Sequence, residues 1–131
     1  MAQAKDLITL GAPAELAKRM GWDVVSVAPS LTVQNTPLGL LKGPGNKLVM
    51  STPGAGDGAV TLPAEAGIGD EIIIVNMHAS NNCDVFPPTG GNFVKLTANQ
   101  GTPVATGQSF SAIRLTATQW LGRVVATPAA T

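Results

Sequence analysis

The sequence predicts a mainly β protein, a sandwich or a barrel with a short helical segment at its N-terminus. Short apolar stretches recur roughly every 8–12 residues, and turn-forming residues separate them. Four β-branched residues run consecutively from Ile72 to Val75, which favours extended backbone. The chain also has 15 Gly and 10 Pro, which supply turns and end strands. Strands this closely spaced leave no room for strand–helix–strand units.

The most informative stretch extends from Asp70 to Gly91. It predicts a buried strand from Glu71 to His78, a polar turn at Ala79 to Asn82, and a short strand from Cys83 to Phe86. The prolines and glycines that follow Phe86 cannot continue a hydrogen-bonded ladder and force a bend. We therefore expect the fold to be organised around this pair of strands.

The rest of the chain divides into an N-terminal arm, residues 1–28, and a β domain, residues 29–131. Within the arm, Trp22 to Ala28 is also compatible with a strand that Pro29 ends. Residues 36–46 are predicted to be loop. The further predicted strands are Lys47 to Thr52, Ala59 to Leu62, Asn92 to Thr97, Ser109 to Thr116 and Gln119 to Thr127, the last two forming an antiparallel hairpin.

The arm has the signals of a helix. Pro13 suits a first helical position, Glu15 lies in the first turn, Lys18 and Arg19 lie in the last, and Gly21 suits the C-terminal cap. A helix this short is marginal alone and must dock on another surface. That surface is either its own domain or a neighbouring chain.

Composition limits the classes of function. Charged residues make up 12% of the chain, the formal net charge is zero, and hydrophobic residues make up 44%. Self-association is expected, since a lone monomer with so few charges would expose much neutral surface. The sequence has no cluster of Lys and Arg, so nucleic acid is not an expected partner. A single cysteine, a mixed-charge N-terminus and the lack of a long apolar run predict a soluble chain made inside the cell, with no membrane partner.

The central strand is apolar on both faces, whereas an antiparallel sheet with one solvated face should alternate more cleanly. The cover must come from a second sheet, from the N-terminal segment or from another subunit, and we favour another subunit for part of it. The predicted subunit-interface residues are Ile73, Val75, Met77, Phe86, Trp120 and Arg123.

Candidate catalytic and metal sites are weak. His78, Cys83 and Asp84 are too few for a structural zinc site, and ordinary packing is the favoured interpretation of the pair His78 and Cys83. The glycine-rich segments 43–47 and 54–58 lack the Gly-Lys-Ser/Thr end of a phosphate-binding loop. We expect no catalytic residue, no metal and no cofactor. Arg114 and Arg123 are predicted to pair with carboxylates.

Several segments, taken in order, resemble tailed-bacteriophage proteins that decorate or cement the head. The matching elements are Val60, Leu62 and Pro63, then Gly69 and Asp70, then Ile72 to Asn76, then Val85 to Pro88 with Gly90 and Gly91, and finally Ala117 to Trp120. The N-terminal segment, from Lys5 to Gly21, is similar to the start that often precedes this module. The resemblance covers about residues 4–21 and 57–126.

The resemblance implies a non-enzymatic, jelly-roll-like antiparallel sandwich that forms a homotrimer on the outer surface of the capsid and bridges subunits of the major capsid protein. Such a protein is made in the host cytoplasm and ends up in the virion. The arm would contact the shell, and the candidate contact residues are Leu7, Leu10, Leu16, Met20 and Trp22. The competing hypothesis is a head-fibre or tail adhesin that binds host glycan through loops 53–58, 79–82 and 98–107.

Overall fold

The computed structural model describes residues 21–126, which form two β-sheets. The larger sheet has six strands in the order β1-β2-β4-β8-β9-β6, and the smaller has three in the order β3-β5-β7. The strands are β1 (Trp22–Val27), β2 (Asn46–Ser51), β3 (Gly58–Thr61), β4 (Glu71–Asn76), β5 (Cys83–Phe86), β6 (Asn92–Phe93), β7 (Thr102–Val104), β8 (Ser109–Arg114) and β9 (Gln119–Val125).

The first half of the fold is a coil that alternates between the two sheets. The chain runs along β2 in the larger sheet, β3 in the smaller, β4 in the larger and β5 in the smaller. Each turn of the coil adds one strand to each sheet, so the neighbours are parallel. Lys47 pairs with Ile72 and Gly58 pairs with Cys83, a spacing of 25 residues in both sheets. This winding is solenoid-like.

An earlier turn of the same coil begins at β1, which pairs in parallel with β2. The chain then makes a 3-10 turn at Pro37–Gly39, and Leu40 forms a parallel bridge to Thr61 of β3. Gly39 lies against the backbone of Ala59 so closely that a Cβ atom there would be 1.9 Å from the carbonyl oxygen. Only glycine permits this approach between successive turns of the coil.

The C-terminal strands close the coil with antiparallel pairs. Strand β8 pairs with β4, β9 pairs with β8, and β7 pairs with β5, whereas β6 lies parallel to β9. The predicted hairpin of the last two strands is confirmed. The core lies between the sheets, and its fully buried side chains include Val49, Val60, Leu62, Ile72, Ile74, Val85, Val104 and Trp120.

The prediction of a mainly β protein is confirmed, but the antiparallel, jelly-roll arrangement is wrong for the coil. Among the seven pairings between described strands, four are parallel. A two-residue side-chain period is the same in both kinds of ladder, so alternation alone cannot distinguish them. Connections that pass through the other sheet let parallel neighbours form without helices.

The domain boundary at residue 28 is also wrong, because Trp22–Val27 is a strand of the larger sheet. Its six residues pair with the six residues of β2, which places them inside the β domain. The predicted helix over residues 13–20 lies outside the described residues. No helix in the described part of the chain is long and apolar enough to cross a membrane.

Candidate interaction surface

The larger sheet has an inner face against the core and an outer face, and the outer face is unusually apolar. Side chains of β2 and β4 alternate strictly, with Val49, Ile72 and Ile74 buried and their neighbours partly exposed. The register places the partly exposed residues of adjacent strands side by side. The apolar members of this outer face are Trp22, Val24, Leu48, Met50, Ile73, Val75, Ile113, Leu121 and Val125.

Exposure increases toward the edges of the outer face. Val24 is 66% exposed on β1, and Leu121 is 46% exposed on β9. Leu48 and Ile73, in the middle, are half-buried by their neighbours in the sheet. An apolar surface that crosses five neighbouring strands is the kind of feature that identifies an interaction site on a folded chain.

Two opposite charges lie on the outer face. Glu71 begins β4, and its Oε2 atom accepts a hydrogen bond of 2.9 Å from the Ser111 hydroxyl. Arg123 on β9 is exposed and lies directly opposite Ser111 in the register. Among residues 21–126, the ion pair is Lys47 with Asp23, so Glu71 and Arg123 are not paired with each other.

A groove of about 260 Å³ separates these two charges, and its lining includes Ile113 and Leu121. A second groove, of about 240 Å³, lies beside Leu40 and Pro88. Both are smaller than the roughly 300–1,000 Å³ typical of small-molecule sites. The outer face is therefore better suited to a flat protein partner.

The predicted interface residues do not all lie on the outer face. Ile73, Val75 and Arg123 lie on the outer face, and Met77, just beyond the end of β4, is 58% exposed. Phe86 lies instead on β5 in the smaller sheet, where its ring fills the space beside Gly101.

Trp120 is wrong as an interface residue, because its side chain is completely buried. Pairing with β8 places Trp120 opposite Arg114 and turns the indole ring toward the core. The Arg114 guanidinium lies 5.5 Å from the centre of that ring. Sequence alone does not determine which side of the last strand faces inward, since both sides contain apolar residues.

Arg114 was predicted to pair with carboxylates, but the structure gives it other partners. Its guanidinium donates to backbone carbonyl oxygens of Ala64, Ala66, Thr116 and Ala117. These bonds connect the loop before β4 to the β8–β9 turn, a structural role that satisfies most of its donors.

Of the predicted shell-contact residues, Leu7, Leu10, Leu16 and Met20 lie outside the described residues. The fifth is the half-buried first residue of β1, Trp22.

His78 and Cys83 do not form a reactive pair. The Nδ1 atom of His78 accepts hydrogen bonds from the backbone N–H groups of Ser80 and Asn81, at 3.0 and 2.9 Å. Cys83 is buried, with its Sγ atom 3.3 Å from the Ser51 hydroxyl. Burial raises the pKa of the Cys83 thiol more than the hydrogen bond to Ser51 lowers it, which disfavours the nucleophilic thiolate. No group of three or more His, Cys, Asp or Glu side chains within residues 21–126 could hold a metal ion.

Polar loops meet at one end of the coil, at the turns between the sheets. Asn81 donates through Nδ2 to the Gly54 carbonyl at 2.9 Å, and the Asn82 backbone N–H donates to Asp57 Oδ1 at 2.9 Å. Thr106 donates its hydroxyl to the His78 carbonyl. Loops 53–58 and 79–82, and one residue of the segment 98–107, therefore form one polar corner.

Asp84 is expected to destabilise the native state when it is charged. Burial, with a further contribution from the charge of Asp57, raises the pKa of the Asp84 carboxyl. Because the pKa is higher in the native state, the native state holds this proton more tightly than the unfolded state does. The free energy of unfolding therefore decreases as the pH rises from the ordinary pKa of about 4 through the raised native pKa. We expect Asp84→Asn to raise the melting temperature at pH 7.

The control compares the wild type with the Asp84→Asn variant at about pH 3. The Asp84 carboxyl is protonated there, so the difference in melting temperature should vanish. Thermal melts followed by circular dichroism measure both. An Asp84→Asn variant that melts lower than the wild type at pH 7 would contradict the sign.

The residues of the outer face that sequence reasoning missed include Leu48, Met50 and Glu71. A signal for the first two was present, because Asn46–Ser51 matches Glu71–Asn76, 25 residues later, in polar or apolar character at every position except Lys47, which pairs with Ile72. Pro63 and Pro88 have the same separation. Internal spacing of this kind is the sequence signature of a solenoid.

No protein-family model matches the chain, and no curated protein matches it either. Fold and surface therefore define the class to which it can be assigned. It is a short, solenoid-like β protein of two sheets, with one broad apolar sheet face.

Proposed function

We propose that this protein is a non-enzymatic decoration, or cement, protein of a bacteriophage head. In this proposal it assembles as a homotrimer on the outer surface of the capsid and bridges subunits of the major capsid protein. The observation that supports it best is the apolar outer face of the larger sheet, on a chain with only 12% charged residues. The particular role is proposed from the order of motifs between Val60 and Trp120, which resembles that of head-decoration proteins.

The physical basis of cementing is additional buried surface. Each contact between subunits removes apolar area from water, at about 25 cal/mol per Å². A trimer that binds at three places gains from effective concentration, because the second and third contacts become intramolecular. Weak individual contacts can then hold the protein on the shell and resist its expansion.

The body of the protein is suited to this load. Parallel strands of the coil and the closing antiparallel strands share one continuous six-stranded sheet. Arg114 further connects separate loops through hydrogen bonds to their carbonyl groups. In this proposal the continuous sheet carries load between its contacts on the shell.

The proposal predicts that apolar residues of the N-terminal segment are needed for binding to heads. We expect the double variant Leu7→Asp with Leu10→Asp to lose co-sedimentation with heads that lack the protein, since two carboxylates would have to be buried at the contact. The matched control is Gln3→Asp with Ala4→Asp, which adds the same charge at less apolar positions and should still bind. Normal binding by the leucine variant would refute a role for the arm.

A second candidate function is adhesion to a host glycan, which the polar corner favours. The corner brings together Asp57, Asn81 and Asn82, whose side chains are of the kind that binds sugar hydroxyls. Carbohydrate sites also use aromatic faces, and the chain has no Tyr and few other aromatic residues. Specific binding on a glycan array, abolished by Asn81→Ala, would favour adhesion over cementing.

A further inference from the structure

The outer face has one acidic and one basic side chain within its apolar area. Glu71 lies on β4 and Arg123 on β9, and β8 lies between them. Neighbouring strands are about 4.8 Å apart, and Arg123 is displaced from Glu71 by two residues along the strands, so the two Cα atoms are roughly 12 Å apart. Glu71 accepts a hydrogen bond from Ser111 but has no cation partner among the described residues.

We propose that the outer face of the larger sheet is the surface that joins copies of this chain, with Glu71 of one copy paired to Arg123 of the next. The inference rests on the homo-oligomer of the proposed function and specifies its interface. We consider a ring of three copies whose axis is parallel to the strands. The side of the outer face that contains β4 then lies against the side of the neighbour's outer face that contains β9. Every Glu71 then has an Arg123 partner.

Charge complementarity favours a second copy over other occupants. A strongly acidic partner would leave Glu71 facing like charge, and a strongly basic one would do the same to Arg123. A lipid surface would desolvate both groups without pairing either. Another outer face offers one charge of each sign, so both are paired and the remaining contact is mainly apolar.

The arrangement also explains why the two charges do not pair within one chain. Ser111 holds the Glu71 carboxylate at the sheet surface, and Ile113 and Leu121 line the groove between the carboxylate and Arg123. Closure by a second sheet covers that groove and lowers the local dielectric, which strengthens an ion pair between copies. The same closure makes a mismatched charge costly, so these residues determine partner choice.

The test is a charge reversal with rescue, measured as molar mass by sedimentation over a dilution series of the full-length protein. We expect three chains for the wild type, and at least about a tenfold weaker association for Arg123→Glu or Glu71→Arg alone. The double variant should regain most of the association, because it restores a pair of opposite charges. Lys42→Glu, an exposed reversal off the outer face, is the matched control and should leave the mass unchanged.

Ser111→Ala removes the hydrogen bond from Ser111 to the Glu71 carboxylate but leaves both charges in place. It should therefore weaken association less than either charge reversal. A covalent test avoids dependence on weak binding. The variant with Glu71→Cys and Arg123→Cys should form disulfide-linked trimers under mild oxidation, while buried Cys83 stays reduced.

Each outcome decides between the hypotheses. If the wild type is a dimer and the double charge reversal restores its association, the proposed interface stands and the trimer of the proposed function is overturned. Single reversals that associate like the wild type, or a wild type that is monomeric throughout, overturn the interface. Binding to heads is measured separately, so the cement function can survive or fail independently of this surface.

Discussion

Replacing Asn76 with leucine is expected to lower the free energy of unfolding by about 3 kcal/mol. Asn76 is completely buried at the end of β4, where the chain leaves the larger sheet. Its Nδ2 group donates to the carbonyl oxygens of Asn81 and Val104, at 2.9 and 3.0 Å, and its Oδ1 atom accepts from the His78 N–H. Leucine has a similar volume but leaves three backbone groups without this partner.

Equilibrium unfolding in guanidinium chloride measures the loss. The matched control is Asn82→Leu, the same substitution at an exposed position of the neighbouring turn, which should stay within about 0.5 kcal/mol of the wild type. Equal losses in both variants would show that the hydrogen bonds of Asn76 contribute little beyond what solvent provides.

Gly39→Ala is expected to have the other large effect, a destabilisation of about 3 kcal/mol or more. A Cβ atom at this position would lie 1.9 Å from the Ala59 carbonyl oxygen and 3.2 Å from the Pro29 Cβ. Neither neighbour can move easily, because the oxygen belongs to the backbone of a completely buried strand. The first turn of the coil would have to separate from the second.

Gly54→Ala is the control for this substitution, since a Cβ atom there would meet nothing within 4 Å. The same denaturation experiment compares the two variants, and hydrogen exchange of β3 amides locates the damage. A Gly39→Ala protein as stable as the control would mean that the turns of the coil approach less closely than the structure indicates.

Strand positions were largely accessible from the sequence, because β-branched runs and turn residues act locally. The predicted strands at Lys47–Thr52 and Ser109–Thr116 agree with β2 and β8 to within about two residues. The two-residue period also placed Ile73 and Val75 on the same face of the strand, and the structure shows that this face points away from the core. Two segments were exceptions. Strand β6 ends at Phe93, where Lys95 soon adopts a positive φ of 73°, and the strand at Thr102–Val104 was not predicted.

The interaction surface was only partly accessible. Alternation within β4 identified Ile73 and Val75, but it gave no information on which strands lie beside them. Leu48 became a neighbour of Ile73 only through parallel pairing of β2 with β4, and Arg123 joined the surface through β8. Trp120 was predicted to lie at an interface, whereas the register of β9 turns it inward.

The sequence by itself determined that this chain forms short strands, that it has little charge, and where its turns lie, since these depend on residue type and near neighbours. Tertiary structure alone decided that the strands wind in parallel between two sheets and that Glu71 and Arg123 share one face. The physical reason is that a strand's side-chain period is independent of its partner. Direction and neighbourhood are set by how distant segments, such as Asn46–Ser51 and Glu71–Asn76, bury their apolar sides together.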